Sequence, residues 1–411
     1  MGPLRAVIFR FIAALLVALP LFAEDVAESR RLYKNALDAY QKKDHAAFLE
    51  NVRAASALRP QHPTLLYQLA VALTLNGRGD DALDVLERVA AMGFVYRAAE
   101  DEDLASLRGA PRFTAIAGRF AENAKPAGAA TLAFTIPEKG LIPEGLAYDA
   151  TTKRFFVSSV RRHAIYAIDP TGRARRLVRD LPSGVFGMVV DAKRETLWAA
   201  TSALAEKKSA LLRIDLRSGR VVDTIRAEGR HHFGDVTLTR DGRVLVSDGE
   251  SPVIFELREN ALQPFATGPF VSLQGIAAGP GVLYASDYSK GLFAIDLRTR
   301  DVHLMSVPPN ASLLGVDGIY LAAPRTLVAT QNGTNPNRII RIRLTENGLD
   351  VASVETLLAN VPALADPTLG VMANGAFYVN AAGQWDLFDD DGNVKDAEKL
   401  RPASVLRIPL P

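Results

Sequence analysis

Hydrophobic residues follow two different periods in the two parts of the chain. Between residues 27 and 124 they recur every three or four positions, which is typical of amphipathic α-helices joined by short turns. From residue 131 onward they form short runs rich in Val, Leu, Ile, Phe and Tyr, separated by Gly, Pro and Asp-Gly, which is typical of β-strands. The loop NAKPAGAA lies between the two parts. The pattern therefore predicts a helical domain at residues 24–125 and a β domain at residues 131–411.

The helical part contains two consecutive blocks of 34 residues, 29–62 and 63–96, with apolar residues at matching positions. The aligned residues are Leu32, Ala36, Ala39, Val52, Ala55 and Pro60 in the first block and Leu66, Ala70, Leu73, Leu86, Val89 and Phe94 in the second. This spacing resembles the tetratricopeptide repeat, in which two antiparallel helices interlock. The resemblance implies a protein partner on the concave face. Stable arrays generally need three or more repeats, so helices that only pack on the neighbouring domain are the alternative.

The β part contains six repeats, each of which starts with a turn residue followed by alternating apolar residues. The six starting residues, 40 to 52 positions apart, are Gly145, Gly187, Asp235, Gly275, Gly318 and Gly370. A second and a third strand-like segment follow in every repeat, and a fourth follows in the first five. Four strands in a repeat of this length are typical of a β-propeller blade. The sequence therefore predicts a six-bladed β-propeller after the helical repeats.

The sixth repeat lacks a fourth strand, because the sequence ends after VLRIPL and one more residue. One strand-like segment, TLAFTIP at residues 131–137, precedes the first repeat. Pairing these two segments would remove an exposed sheet edge. We therefore expect the N-terminal strand of the β part to complete the last blade and to close the ring.

The inner strands of a propeller begin near its central funnel, so the residue before each starting residue is expected to face the axis. These six residues are Glu144, Phe186, Gly234, Gln274, Asp317 and Leu369. Two acids and one amide that converge from different blades form an oxygen-rich set of the kind that binds a hard cation. The alternative is structural, because acids before Gly also form ordinary turns in which they accept backbone N–H bonds.

Four segments of the β part resemble the senescence marker protein/gluconolactonase family. They are IPEGLAYD at residues 142–149, DVTLTRDGRVLVSD at 235–248, SLQGIAAGPGVLYASD at 272–287 and GVDGIYL at 315–321. The resemblance covers the propeller but not the helical part. It implies a divalent cation, often Ca²⁺, held at the funnel base by one Glu, one Asp and two Asn. Glu144 matches the Glu and Asp317 matches the Asp, whereas Gln274 and Gly234 replace the two Asn.

The resemblance further implies hydrolysis of a small lactone or ester in the funnel. The cation would act as a Lewis acid on the carbonyl group, and the carboxylate of Asp235 or Asp317 would activate water. We predict Glu144, Gln274 and Asp317 as metal ligands, with Ca²⁺ as the cofactor. The residues predicted to contact the substrate are Phe186, His232, Asp235 and Thr368.

The composition and the first residues of the chain narrow its possible partners, its possible chemistry and its cellular location. The 411 residues include 48 Lys and Arg against 46 Asp and Glu, so the small charge of +2 argues against nucleic acid as a partner. The absence of Cys excludes disulfides, thiolate zinc sites and thiol nucleophiles. The apolar run from Phe11 to Ala23, which follows Arg5 and Arg10, predicts a signal peptide at residues 1–23. This run has 13 residues, whereas a membrane-spanning helix needs about 20. We expect a bacterial periplasmic or secreted protein.

Two functions remain open at the level of sequence. One is an exported, metal-dependent hydrolase of lactones or esters. The other is a non-catalytic periplasmic binding or scaffold protein that uses its helical repeats and propeller to contact another protein. A fold alone does not decide between them, because related folds carry different activities.

Overall fold

The computed structural model describes residues 21–389 and 393–410. Residues 1–20, which make up most of the predicted signal peptide, lie outside the described residues. Among the helices that are described, none is both long enough and apolar enough to cross a membrane.

Residues 21–123 form the predicted helical region. Its α-helices are α1 (Leu21–Gln41), α2 (His45–Leu58), α3 (Pro63–Leu75), α4 (Gly79–Ala91) and α5 (Pro111–Asn123), and two short 3₁₀ helices, Ala98–Glu100 and Glu102–Leu107, lie between α4 and α5. Each α-helix contacts the next one along the chain. The helical nature of this region is thus confirmed, while its assignment to tetratricopeptide repeats stays a prediction.

The helix boundaries follow from local capping. The side chain of Asp44 accepts a hydrogen bond from the Ala47 amide at the start of α2. Proline at position 63 stands in the first turn of α3, where no amide hydrogen is needed. The apolar faces of the helices then bury small residues such as Ala70 and Ala82 beside large ones such as Phe48, all of them fully.

His62 makes the stability of the helical region sensitive to acid. Burial lowers the pKa of its imidazole from 6.5 to about 4, and Nδ1 accepts a hydrogen bond from the Leu65 amide at the start of α3 (3.4 Å). A lowered pKa stabilises the fold above pH 6.5, and this contribution is lost as the pH falls through about 4. We expect a loss of about 2 kcal/mol, a value that allows for the partly exposed ring.

The free energy of unfolding is measured in urea at neutral pH and at pH 4, with the circular dichroism signal of the helices as the readout. His62→Asn keeps a side-chain acceptor at the N-cap but cannot become charged, so it should lose about 2 kcal/mol less than the wild type on acidification. Equal acid sensitivity of the two proteins would show that His62 is not the responsible group.

The described residues from 131 to 409 form six four-stranded antiparallel sheets, so the predicted six-bladed β-propeller is confirmed. The strands of each blade follow in order from the inner to the outer one. The first blade contains β2 (Pro143–Asp149), β3 (Arg154–Ser159), β4 (Ala164–Ile168) and β5 (Ala174–Val178). The second contains β6 (Gly184–Asp191), β7 (Thr196–Ala203), β8 (Lys208–Asp215) and β9 (Val221–Arg226). The third contains β10 (Phe233–Leu238), β11 (Val244–Asp248), β12 (Val253–Arg258) and β13 (Ala261–Thr267). The fourth contains β14 (Leu273–Ala278), β15 (Val282–Asp287), β16 (Gly291–Asp296) and β17 (Val302–Leu304). The fifth contains β18 (Val316–Ala323), β19 (Thr326–Gln331), β20 (Arg338–Leu344) and β21 (Val351–Ala359). The sixth contains β22 (Gly370–Ala373), β23 (Ala376–Asn380), β24 (Pro402–Pro409) and β1 (Thr131–Lys139).

The sixth blade combines strands from distant parts of the sequence. Its strand order is β22, β23, β24 and β1. Strand β1 runs antiparallel to β24, with Thr131 opposite Arg407 and Ile136 opposite Ala403. The outer edge of this blade is therefore supplied by residues that precede the first blade.

The inner strand of each blade contacts the inner strands of the two adjacent blades, so the six inner strands surround the axis. Their close approach explains the glycine at three of the repeat starts, Gly145, Gly187 and Gly275. A Cβ atom on Gly145 would lie 2.1 Å from the Phe186 carbonyl oxygen, and one on Gly275 would lie 2.7 Å from the Asp317 carbonyl oxygen. Only a residue without a side chain fits such a contact between neighbouring backbones.

Candidate active site

The starts of the six inner strands enclose a cavity of about 210 Å³. All six residues expected to face the axis line it, so the blades bring these residues together as the repeat spacing indicated. The lining consists of Glu144, Phe186, Leu204, His232, Gly234, Asp235, Gln274, Gly275, Asp317, Leu369 and Trp385. One small volume thus holds three carboxylates, an amide and an imidazole among apolar side chains.

Bulges at the strand starts turn these residues toward the axis. In five of the six inner strands the pairing register shifts at the residue before the repeat start, for example between Pro143 and Leu146 in β2 and between Leu273 and Ile276 in β14. A bulge adds an unpaired residue to one strand and changes the direction of its side chain. The repeated bulge therefore places the axial residue of each of these blades at the cavity, with a side chain in four blades and the backbone of Gly234 in the fifth.

Serine residues on the second strands hold the main chain of the axial residues. Each of three serines donates a hydrogen bond from its hydroxyl group to the carbonyl of the axial residue in the following blade. The contacts are Ser158 Oγ to Phe186 O (2.9 Å), Ser247 Oγ to Gln274 O (2.6 Å) and Ser286 Oγ to Asp317 O (2.5 Å). These buried bonds fix the positions from which the axial side chains extend.

Glu144 carries the least satisfied carboxylate of the cavity. Its Oε2 atom is buried and has no hydrogen-bond partner in the described part of the chain. Burial raises the pKa of Glu144 well above its ordinary value, and the nearby carboxylates of Asp317 and Asp366 raise it further. The indole N–H of Trp385 acts in the opposite direction. An ionised Glu144 would therefore be stabilised by a positive charge in the cavity.

Asp317 is 8% exposed and shares this environment. Its Oδ2 atom accepts a hydrogen bond from the side-chain amide of Asn332 (2.9 Å), and Tyr288 in turn donates to Asn332 Oδ1 (3.1 Å). Burial raises the pKa of Asp317 to about 6, although the bond from Asn332 opposes the rise and Asp366 adds to it. Asp317 is thus a positioned carboxylate that can change protonation near neutral pH.

Asp235 occupies the one repeat start that is not glycine. Its Oδ1 atom accepts the amide hydrogen of Val236 (2.8 Å), and its Oδ2 atom accepts that of Ile276 in the next blade (3.1 Å). Burial raises its pKa to about 7, and the two backbone bonds only partly offset this effect. Gly187 makes room for the carboxylate, since a Cβ there would lie 2.2 Å from Asp235 Oδ1. The same carboxylate therefore links two blades and lines the cavity.

The other predicted contacts occupy different positions around these acids. The amide nitrogen of Gln274 donates to Ser272 Oγ (3.2 Å), which orients its side chain at the cavity wall. The His232 ring packs edge-on against Phe186, with 4.9 Å between ring centroids, and burial lowers the pKa of His232. Thr368 does not belong to the lining; its hydroxyl donates to the carbonyls of Pro143 (2.9 Å) and Glu144 (3.2 Å). In the structure, Thr368 supports the backbone at Glu144.

Besides the apolar Leu204, two residues at this site were not predicted from the sequence. Trp385 lines the cavity, and Asp366 lies close enough to raise the pKa of both Glu144 and Asp317. Asp366 Oδ2 accepts the Trp385 amide hydrogen (3.2 Å), so the two form one unit. Asp366 lies in the segment between β21 and β22, and Trp385 lies in the segment between β23 and β24. Neither is at a repeat position, so the repeat pattern carries no signal for them. The available signal for Asp366 was an acid four residues before the repeat start Gly370, in the segment Asp-Pro-Thr-Leu-Gly.

The next question is whether the oxygen atoms of Glu144, Gln274 and Asp317 suit a metal ion. Among the described residues, no group of three or more His, Asp or Glu is arranged to hold a metal ion. The three predicted ligands are two acids and one amide, and this amide would have to supply the third side-chain oxygen. Oxygen donors of this kind suit a hard cation such as Ca²⁺. The buried Glu144 Oε2, which has no partner in the described chain, fits such a role.

The fold and the cavity together define a six-bladed β-propeller with an acidic axial site. No protein-family model matches the chain, and no curated protein matches it. Similar solved structures include a gluconolactonase from Xanthomonas campestris, with 16% identity, a TM-score of 0.48 and coverage of 69% of this chain and 99% of that chain. A putative gluconolactonase has 17% identity, a TM-score of 0.46 and coverage of 69% and 92%. A luciferin-regenerating enzyme has 14% identity, a TM-score of 0.49 and coverage of 70% and 96%.

Proposed function

We propose that the axial cavity binds a divalent cation, Ca²⁺, and that the protein hydrolyses a small lactone or ester there. The observation that carries this proposal is the Glu144 carboxylate, whose buried Oε2 lacks a partner in the described chain and lies near Asp317. Two buried carboxylates that repel each other are stabilised together by a cation. Glu144, Gln274 and Asp317 would hold it. When bound, the cation supplies Lewis-acid polarisation of a carbonyl group.

The side chains of the protein provide the remaining functions. Asp235 is proposed as the general base that takes a proton from water, because its carboxylate lines the cavity and its pKa of about 7 suits proton transfer near neutral pH. Each of its oxygens accepts one backbone bond, which fixes the carboxylate and leaves it further acceptor capacity. Phe186 and His232 form a wall against which the substrate is held.

The cellular setting and the helical region belong to the same proposal. We infer that residues 1–23 direct export and that the protein acts in the periplasm or outside the cell. The helical repeats would hold a protein partner. The alternative function is a non-catalytic binding or scaffold protein. The observation that supports it is that Phe186 and Leu369 contribute apolar side chains from two of the six axial positions.

A substrate screen tests the proposal. The full-length mature protein is assayed with small γ- and δ-lactones and aryl esters, once with added Ca²⁺ and once after treatment with a chelator. We expect turnover of at least one lactone or ester, lost with the chelator and restored by Ca²⁺, because the cation balances the buried carboxylates. Thermal unfolding is recorded in parallel.

The two measurements separate the possible outcomes. Turnover that survives the chelator would rule out the cation while leaving a hydrolase. A melting temperature raised by Ca²⁺ without any turnover would establish the cation site and favour the binding protein. No stabilisation and no turnover would contradict both parts of the proposal.

A further inference from the structure

A second cavity, of about 250 Å³, lies further along the same inner strands. Every blade contributes to it the residue that follows its repeat start. These six residues are Leu146, Met188, Val236, Ile276, Ile319 and Val371. The cavity therefore also surrounds the axis, and all six equivalent positions carry an aliphatic or thioether side chain.

Two of the three polar side chains that line this cavity, Asp235 and Tyr320, already accept backbone hydrogen bonds. Both carboxylate oxygens of Asp235 accept backbone amides, and the Tyr320 hydroxyl accepts the Gly370 amide hydrogen (2.6 Å). No Lys, Arg, His or Glu occurs among the described residues that line it. Because the lining is mostly apolar, a charged or strongly polar ligand would lose more hydration here than these few polar groups replace, whereas a hydrocarbon group would gain from burial.

The rim of this cavity is open to solvent. Val189, Leu321 and Met372 are half-buried, in contrast to Ile276 and Ile319 on the inner part of the wall. Asp235 and Leu369 line both this cavity and the first one, so they form the partition between the two. A ligand thus reaches the second cavity by its own opening, independent of the acidic site.

We propose that the second cavity binds the alkyl chain of a small, uncharged amphiphile. Its hydrocarbon part lies among the six aliphatic residues, and its polar end stays in water at the half-buried rim. Size is consistent with this occupant, since an apolar cavity of about 150 Å³ accommodates benzene. The inference does not depend on hydrolysis in the acidic cavity.

Methionine methyl groups provide a direct test with the full-length mature protein. Met188 and Met372 line the second cavity, whereas Met92 and Met305 lie elsewhere and serve as internal references. The protein is labelled with ¹³C-methyl methionine and titrated with 1-alkanols from butanol to octanol. We expect saturable shifts of the Met188 and Met372 signals only, with binding strengthened about fourfold by each added methylene group until the cavity is full.

Two valine variants complete the test. Val371→Phe fills part of the cavity and should abolish the saturable shift of Met188. Val222→Phe makes the same change at an exposed site on β9 and should leave the titration unchanged. Absence of saturation at Met188 and Met372 in the wild type would overturn the proposal, and so would equal shifts of all four methionines. A response confined to Trp385 fluorescence would also overturn it, because Trp385 lines the acidic cavity instead.

Discussion

Glu144→Gln should lower lactone or ester hydrolysis by about a hundredfold or more while the fold remains intact. The substitution keeps the shape of the side chain but removes one of the two buried negative charges proposed to hold the cation. Loss of a residue that only supports a metal ligand typically costs up to about a hundredfold in affinity or activity, so loss of a ligand itself should cost at least that much. The measurement is kcat/KM with added Ca²⁺, combined with the Ca²⁺ affinity from calorimetry.

The matched control is Glu346→Gln, the same substitution at an exposed residue outside the cavity. It should leave both kcat/KM and Ca²⁺ affinity unchanged. Thermal unfolding without Ca²⁺ adds a second readout: burial raises the pKa of Glu144, which costs stability at neutral pH, whereas Gln does not ionise, so the variant should be more stable than the wild type. Full activity of Glu144→Gln would contradict the proposed role of this carboxylate.

Gly145→Ala should destabilise the propeller by about 3 kcal/mol. The added Cβ would lie 2.1 Å from the Phe186 carbonyl oxygen and 3.1 Å from Ser158 Oγ. The nearer obstacle is backbone, so relief requires two inner strands to move apart rather than one side chain to rotate. Overpacking in a tight core costs about 1–3 kcal/mol, and this contact lies at the upper end of that range. The free energy of unfolding in guanidinium chloride, followed by tryptophan fluorescence, measures the effect.

Gly234→Ala is the control for this prediction. It lies one residue before a repeat start, and the nearest atom to its added Cβ would be Ser247 Oγ at 3.8 Å, an ordinary contact. We expect its unfolding free energy to stay within about 0.5 kcal/mol of the wild type. If both alanine variants were equally stable, close approach of the inner strands could not be the reason for the glycine at Gly145.

The repeat pattern predicted the propeller and the convergence of its axial residues. Gly145 and Gly275 mark positions where neighbouring backbones come too close for a side chain. The need for close backbone approach is therefore visible in the sequence as a repeated glycine. The residue before each glycine then falls at the bulge that faces the axis. Glu144 and Asp317 could be placed in one cavity for this reason, although they are 173 residues apart.

The sequence did not reveal the connections that hold these residues. Asp366 and Trp385 come from segments between strands, where neither hydrophobic period applies. Asp235 was predicted as a carboxylate that activates water, but the sequence carried no sign that its two oxygens also accept backbone amides from two blades. Thr368 lies outside the cavity lining and its hydroxyl donates to backbone carbonyls, so its contact with substrate stays a prediction. Such bonds depend on which loops meet in space, and local spacing does not encode that.

The mixed origin of the sixth blade has a consequence for how the molecule forms. Thr131 and its partner Arg407 are 276 residues apart in sequence, so β1 must wait for almost the whole chain before it can pair. Contacts between such distant segments are slow to form because a long loop has to close first. A chain made from its N-terminus therefore has five blades available before the sixth, and the final pairing step is expected to limit the rate of folding.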